Sequence, residues 1–344
     1  MRLSATVVGL QEAYSLACPL TKGTPFDFRA SSSRQEIAMK PDTTKISIHN
    51  NLAKIKDFLS EVILEPRVRM MSWSKITNQT PNLKIGYPGQ HLASLITGIK
   101  GTATGARGED IEDGTEVKSC SRIDQVDKCK QCKKNVLRIQ SVCPNCGSAK
   151  IKRNNDSKWL IPIRSEKELD LYLNRIPRMF FLISDYPNFD SDDFSTLRFA
   201  SFEIWNQSAR AKNFRQLLKD YYRKIYLPHI EQNPNATPAP KNFWPYSYQF
   251  YLCNPIKTFE CIVHNAYSNP EIEIRHYTKP DADRSCLESE PLPLDLLQAD
   301  ERTILAQNGY DLNSIGCVNE EGKALLPLRD TSEAHTQTSI YHRR

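Results

Sequence analysis

The sequence predicts an α/β or α+β fold in which helices flank a mixed β-sheet, with a small cysteine-rich ribbon inserted into the chain. Two long segments have the apolar spacing of amphipathic helices, and other segments have strand-like apolar patterns. Two Cys-x2-Cys pairs lie between them. The chain has 344 residues, of which 39% are hydrophobic and 25% charged, a balance typical of a folded protein with a buried core.

Three helices are predicted around the expected sheet. Residues 51–65 place apolar side chains at helical spacing and end before Pro66, where a helix usually stops. A shorter helix is predicted for residues 90–97, opened by the segment Tyr87-Pro88-Gly89. Residues 209–231 repeat aromatic and aliphatic side chains on one face, which predicts a helix of about six turns.

Four strands are predicted after the cysteines, over residues 178–184, 197–205, 246–253 and 258–264. A weak helix is expected near 296–307. These patterns suggest three regions: an irregular lead-in (1–50), a core (51–270) with the ribbon inserted at about 125–153, and a partly irregular C-terminal extension (271–344).

Composition argues against a membrane or secreted protein. The longest apolar run, Met179 to Ile183, is far shorter than the roughly 20 residues that a membrane-spanning helix needs. The first residues have neither a basic region nor a convincing cleavage site, so we expect a cytoplasmic protein. Ten cysteines in a chain of this size then favour metal binding over a disulfide framework.

Positive charge is concentrated near the cysteines. Residues 118–153 contain ten Lys/Arg and two Asp, a local excess of eight that is larger than the net charge of +6 of the whole chain. A basic patch on a slightly acidic body is typical of proteins that bind a polyphosphate such as DNA. The alternative is a solvated lysine-rich loop.

Four cysteines have the spacing of a zinc ribbon. Each Cys-x2-Cys pair supplies two thiolates, and four thiolates complete a tetrahedral zinc shell with no open position, so we expect a structural Zn²⁺: Cys129, Cys132, Cys143 and Cys146. A redox dithiol is the competing interpretation. The ribbon is expected either to contact DNA or to be only a stabilised insertion. The candidate DNA-contact residues are Lys130, Lys133, Lys134, Arg138, Lys150, Lys152 and Arg153.

An acidic segment before the ribbon predicts a hairpin. Asp113-Gly114 is a strong turn signal, and a three-residue loop at 112–114 would place Asp110 opposite Glu116 on antiparallel strands. Because strand side chains alternate, Lys118 would share a face with Glu116. Two adjacent carboxylates are best stabilised by a hard divalent ion such as Mg²⁺, and a neighbouring lysine can orient a water molecule for attack on a phosphodiester.

Other acids remain open as additional metal ligands. Asp113 is the rival of Asp110, although the predicted register places it at the tip of the turn, away from Lys118. Glu61 and Glu65 on the first helix are candidates for an extra carboxylate, and solvated surface acids are the simpler interpretation of both.

Asp110 followed by Glu116-Val117-Lys118 resembles the PD-(D/E)XK nuclease motif, with Glu109 in place of its proline and a short gap between the acids. The segments 87–92, 105–108 and 116–119 resemble type II restriction endonucleases of the MamI kind. This resemblance implies a restriction-endonuclease-like core and Mg²⁺-dependent cleavage of double-stranded DNA to 5′-phosphate ends. It also implies a homodimer, a companion DNA methyltransferase and a prokaryotic cytoplasm.

Two alternatives belong to other functional classes. The first is a non-catalytic zinc-ribbon protein that binds nucleic acid, in which the acidic hairpin is only structural. The second is a repair or transposition nuclease with the same core. Mg²⁺-dependent cutting separates an enzyme from a binding protein, and discrete fragments separate a restriction enzyme from a structure-selective nuclease.

Overall fold

A computed structural model describes residues 39–82, 84–103 and 109–329. The elements up to residue 170 are α1 (Asn51–Phe58), α2 (Glu65–Thr77), α3 (Gly86–Thr97), β1 (Glu116–Ser121), β2 (Asp127–Cys129), β3 (Asn135–Val136), β4 (Ile151–Lys152), β5 (Trp159–Ile161) and α4 (Glu166–Asp170). Those after it are β6 (Arg178–Asp185), β7 (Leu197–Trp205), α5 (Lys212–Asp220), α6 (Leu227–Gln232), β8 (Lys241–Phe243), α7 (Tyr248–Leu252), β9 (Ile256–His264), β10 (Glu271–Tyr277), β11 (Leu292–Pro293), α8 (Ala299–Gln307), β12 (Cys317–Val318) and α9 (Glu320–Ala324).

The central sheet has five strands in the order β1-β6-β7-β9-β10. β1 runs parallel to β6, and the other neighbours are antiparallel, so the prediction of a mixed sheet flanked by helices is confirmed. β6 is buried along its whole length, whereas β1 is an edge strand. β10 lies beyond the predicted core boundary at residue 270 and is the last strand of the same sheet.

Apolar side chains form a separate core on each face of the sheet. Phe180 of β6 packs with Ile55 and Leu92 of the N-terminal helices. Its neighbour Phe181 points to the opposite face, where it packs with Trp159 and with α5. A continuously apolar strand such as β6 is therefore explained by helices that cover both of its faces.

The first helix is longer than predicted. It passes from α1 through a π-helical segment, Leu59–Leu64, into α2, and it ends with Asn78 in a left-handed conformation rather than before Pro66. Pro66 is the second residue of α2, directly after the π-helical segment, so it lies inside the continuous helix and contributes no backbone donor to it. The expected stop before Pro66 therefore does not occur.

The helix predicted for residues 209–231 is confirmed as α5 and α6, joined by a second π-helical segment, Tyr221–Tyr226. The strand predicted for 246–253 is wrong, because this segment contains the helix α7, capped by Ser247. All five residues of α7 are buried, and an apolar run that is buried on every side has no periodicity that distinguishes a helix from a strand.

The outer parts of the chain are described only partly. Residues 1–38 of the predicted lead-in and 330–344 of the predicted extension lie outside the described residues, as do residues 104–108, part of the segment carrying the resemblance. Residues 292–326 contribute apolar side chains to the core beside α5. In the described part of the chain, no helix has both the length and the apolar character needed to cross a membrane.

Candidate active site and metal centre

Asp110, Glu116 and Lys118 lie together at the start of β1. The side chain of Glu116 is buried, and Lys118 Nζ donates a hydrogen bond to Glu116 Oε1. Asp110 Oδ2 accepts a hydrogen bond from the backbone amide of Val117 at 2.8 Å. The Asp110 carboxylate therefore lies against the outer edge of β1, next to the residues that carry the acid-x-Lys pattern.

The turn before β1 forms as predicted, but the two-stranded ladder does not. Ile111 N bonds to the carbonyl of Thr115 at 3.2 Å, and Gly114 N bonds to the carbonyl of Ile111 at 2.8 Å. Ile111 then pairs with Gly101 in an isolated bridge, and β1 pairs with β6. The apolar strand β6 offers β1 six register pairs inside the core, and this long-range pairing outcompetes a local hairpin. The sheet therefore begins at Glu116.

The environment of Asp110 is unfavourable for an isolated charge. The pKa of Asp110 is raised to about 6, and burial is the largest cause. The negative charge of Glu116 acts in the same direction, whereas the hydrogen bond from the Val117 amide and the positive charge of Lys118 oppose the shift. A cation placed between Asp110 and Glu116 would offset both the cost of burying the Asp110 charge and the repulsion between the two carboxylates.

Gln90 is a residue of this site that the sequence analysis did not single out. Its Nε2 atom donates a 2.7 Å hydrogen bond to Asp110 Oδ1, so both oxygens of that carboxylate have protein donors. Gln90 belongs to α3 and lines an open groove with Tyr87 and Lys118. Its only signal in the sequence was its place in the segment 87–92 that carries the family resemblance.

Asp113, the rival metal ligand, has a structural partner instead. Its Oδ2 atom lies 2.5 Å from Nη2 of the buried Arg178, which also bonds to Thr115 and, at 3.0 Å, to Glu203. Burial alone would lower the pKa of Arg178, but Glu203 and Asp113 raise it above its ordinary value. Asp113 therefore fixes the turn to the sheet, and Arg178 is a further residue that local sequence patterns did not reveal.

The two helix acids do not join the site. Glu61 is exposed. Glu65 is also exposed, and its Oε2 atom lies 3.6 Å from Nη2 of Arg69. Among the described residues, the four cysteines form the only group of three or more histidine, cysteine or acidic ligands whose atoms lie within 4.8 Å of one another. In the described part of the chain, no third histidine, cysteine or acidic ligand therefore joins Asp110 and Glu116 within that distance.

The four cysteines converge on one point beside a small three-stranded sheet of order β3-β2-β4, where Cys129 ends β2 and the other three lie outside the strands. The Sγ atoms of Cys129 and Cys146 lie 3.7 Å apart, and those of Cys132 and Cys143 lie 3.5 Å apart. A tetrahedral zinc site with Zn–S bonds of about 2.3 Å requires sulfur separations near 3.8 Å, so this cluster fits Zn²⁺. Backbone amides lower the pKa of Cys129 and Cys132, which favours their thiolates, whereas the neighbouring cysteines raise the pKa of Cys146, because thiolates gathered without a cation repel one another.

The strands at the base of the ribbon are held together by the buried carboxylate of Asp127. Its Oδ1 atom accepts from Arg138 Nη2 at 2.8 Å, and its Oδ2 atom accepts from Arg153 Nη1 at 2.9 Å. Arg138 also stacks on Phe194, with 4.7 Å between the guanidinium carbon and the ring centroid. A second buried pair, Asp124 with Arg67, holds the segment that enters the ribbon.

The predicted DNA-contact residues fall into two groups, arginines that make buried contacts and lysines that are exposed. The prediction for Arg138 is wrong, because its side chain is fully buried and its guanidinium is used by Asp127 and the aromatic core. The side chain of Arg153 is only 17% exposed and makes the same kind of contact. The other five predicted residues are exposed: Lys130, Lys133, Lys134, Lys150 and Lys152.

Comparison with known protein families identifies the family to which the chain belongs. Residues 72–295 match the family model described as MamI restriction endonuclease. The chain belongs to this family. The matched range includes Gln90, Asp110, Glu116, Lys118 and the cysteine cluster. The family match therefore covers both the candidate active site and the ribbon.

One curated relative and the solved structures add to this comparison. The type II restriction enzyme MamI of Microbacterium ammoniaphilum is 28% identical over 138 residues, which are 40% of this chain and 39% of that protein. The chain thus spans about two fifths of the relative that it matches. No solved structure matches the chain.

Gly89 sets the distance between α3 and β1, and we expect Gly89→Ala to be destabilising. A β-carbon there would lie 2.0 Å from Ser119 Oγ and 2.9 Å from Ser119 Cβ, so the helix would have to move. Overpacking of this kind costs about 2 kcal/mol of unfolding free energy. Gly86→Ala in the same helix is the control, because a β-carbon there meets nothing within 4 Å. Urea unfolding checks both, and equal stability of the two variants would contradict the tight packing.

Proposed function

We propose that this protein is a type II restriction endonuclease that hydrolyses double-stranded DNA in a Mg²⁺-dependent reaction and leaves 5′-phosphate ends. Membership of the MamI restriction endonuclease family supports the proposal. The observation that carries it is the meeting of Asp110, Glu116 and Lys118 at the edge of β1. The same observation supports a restriction-endonuclease-like core of the PD-(D/E)XK type.

Asp110 and Glu116 would hold the Mg²⁺ ion. Both supply the hard carboxylate oxygens that this ion prefers, and burial of Asp110 raises its pKa to about 6, so that its charged form needs a positive partner. When bound, Mg²⁺ supplies charge stabilisation at the scissile phosphate. The amide of Val117 and the side chain of Gln90 orient the Asp110 carboxylate before any ion arrives.

Lys118 is proposed to act on the attacking water and on developing phosphate charge. Its ammonium group is held beside Glu116 on β1, so it is already oriented within the site. A lysine supplies a compact positive charge with several donors, which suits a water molecule and a phosphate oxygen together. Its side chain is 18% exposed and lines the open groove with Gln90, so a substrate can reach it.

The cysteine cluster is proposed to bind a structural Zn²⁺ that folds the ribbon. Its separate small core, with Cys129, Val136 and Cys143 buried, is too small to be stable without a metal. The exposed ribbon lysines are proposed to contact the DNA backbone. We further propose a homodimer acting in the cytoplasm of a prokaryote beside a companion DNA methyltransferase, since those accompany the proposed class of enzyme.

Incubation of the purified protein with phage DNA, with and without Mg²⁺, tests the proposal. We expect discrete fragments with 5′-phosphate ends in the presence of Mg²⁺ and intact DNA in its absence. Binding without cutting under all conditions would favour the non-catalytic zinc-ribbon protein instead. Cutting confined to branched or damaged DNA would favour a repair nuclease.

A further inference from the structure

The outward face of the ribbon carries two directly opposed pairs of lysines. Lys128 of β2 is in register with Lys152 of β4. The amide of Lys130 bonds to the carbonyl of Lys150 at 2.8 Å, which extends the same antiparallel register by one more pair. All four side chains are exposed. We call the residues Lys128, Lys130, Lys150 and Lys152 the lysine tile.

Strand alternation separates the lysine tile from the metal side of the ribbon. Cys129 and Ile151 lie between the lysines in sequence and pack inward beside Val136 and Cys143. Asp127 and Arg153 also point inward, where they pair with each other. The arginines at the base of the ribbon are thus used for buried contacts, and the lysines remain on the solvent side, which matches the different chemistry of the two residues.

The tile is a concentration of charge that the protein does not neutralise. Like charges directly opposite each other on a sheet are destabilising. In the described part of the chain, none of the four lysines forms an ion pair. Asp156 borders the same groove as Lys128 and Lys152 without pairing with either, and Asp127 is occupied by arginines. An external anion is therefore the partner that this face lacks.

We propose that the lysine tile is a phosphate-binding surface for the backbone of double-stranded DNA; this inference rests on the proposed function. β-Carbons on the tile are about 5 Å apart across strands and about 7 Å apart along a strand. Flexible lysines on such a grid can reach successive phosphates, which rise about 3.4 Å per nucleotide along each strand. Contacts of this kind to phosphates position the duplex without reading its bases.

The tile is held at a fixed place relative to the catalytic strand. Only a short connection separates the end of β1 at Ser121 from the start of β2 at Asp127. Asp124 in that connection accepts two hydrogen bonds from Arg67 of α2, at 2.6 and 2.8 Å. At the base of the ribbon, Arg138 and Arg153 stack on Phe194, with their guanidinium carbons 4.7 and 5.0 Å from the ring centroid. A duplex bound on the tile is thus held at a fixed place relative to β1, which carries Lys118.

The test compares the salt dependence of DNA binding in wild type and in the variant K128Q/K130Q/K150Q/K152Q. Anisotropy of a labelled duplex is measured without Mg²⁺ at several NaCl concentrations, so the result does not depend on cleavage. Each neutralised phosphate contributes about 0.9 to the slope of log Kobs against log[salt], so the slope should decrease by about 3 to 4. Zinc content should stay at the wild-type value, because the four side chains point away from the metal, and the thermal midpoint should not fall, because the substitutions remove repulsion between opposed lysines.

A matched variant removes four lysines outside the ribbon, by Gln substitution at Lys167, Lys212, Lys219 and Lys224. The inference is supported when only the tile variant loses slope, for cognate and unrelated duplexes alike. It is overturned if both variants lose equal slope, or if the tile variant binds DNA like wild type and loses affinity for an acidic protein instead. A wild type that binds DNA through the tile but never cuts it contradicts the proposed function and leaves this inference intact.

Discussion

The variant Lys118→Met is expected to cut DNA about 10³-fold more slowly than wild type, which corresponds to about 4 kcal/mol of activation free energy. Methionine has a similar length and fills the same space, but it supplies no charge beside Glu116 and no donor for water. DNA binding measured with Ca²⁺ in place of Mg²⁺ should stay within about threefold, because the lysine tile is untouched. Single-turnover cleavage of a plasmid with one site measures the rate.

The controls for this experiment lie in the same segment. Glu116→Gln should also abolish cutting, since it removes one of the two carboxylates proposed to hold Mg²⁺. Glu112→Gln removes an acid from the turn just before β1, but its side chain is exposed, so cutting should be unchanged. Cleavage by Lys118→Met at a rate close to wild type would remove the lysine from the mechanism and leave the two acids as the only supported part of the site.

Removal of the ribbon metal is expected to have the largest effect on local stability. Structural zinc in small domains contributes roughly 10–16 kcal/mol of binding free energy, and without it such domains are unfolded. Cys143 is fully buried at the centre of the ribbon, so Cys143→Ser should release the zinc. The ribbon should then become sensitive to protease, while the central sheet, which has its own two cores, keeps a cooperative melting transition.

Metal analysis and limited proteolysis check this expectation. Wild type should contain one zinc per chain, and a strong chelator should reproduce the protease sensitivity of Cys143→Ser. Cys317→Ser is the control, because that thiol is exposed and lies outside the cluster. A Cys143→Ser protein that still holds one zinc per chain, or a wild type that holds none, would contradict the assignment of the four cysteines.

Short-range patterns predicted much of this molecule. The two Cys-x2-Cys pairs were identified from spacing alone, because a metal site constrains ligands that are near each other in sequence. The turn at Asp113-Gly114 and the helices with clear apolar periodicity also formed where they were expected. In each case the deciding interactions lie within a few residues, so the sequence carries the whole signal.

The features that the sequence did not predict depend on contacts between residues that are far apart in the chain. The strand beside β1 was expected to come from the acidic segment, but β6, about 60 residues later, takes that position. The contact of Gln90 with Asp110 and of Arg178 with Asp113 also depends on how distant elements pack. The same limit explains Arg138, which a charge count groups with the lysines although Asp127 and Phe194 draw it into the interior.

The carboxylate of Asp110 also has a consequence for assembly. It takes the backbone donor of Val117 on the outer side of β1, and β5 contacts the same strand. An edge strand that is covered in this way has fewer free N–H and C=O groups with which an added strand could pair. We therefore expect a symmetric pair of chains, if one forms, to use another surface than this edge, which would leave the proposed metal-binding carboxylates accessible to DNA.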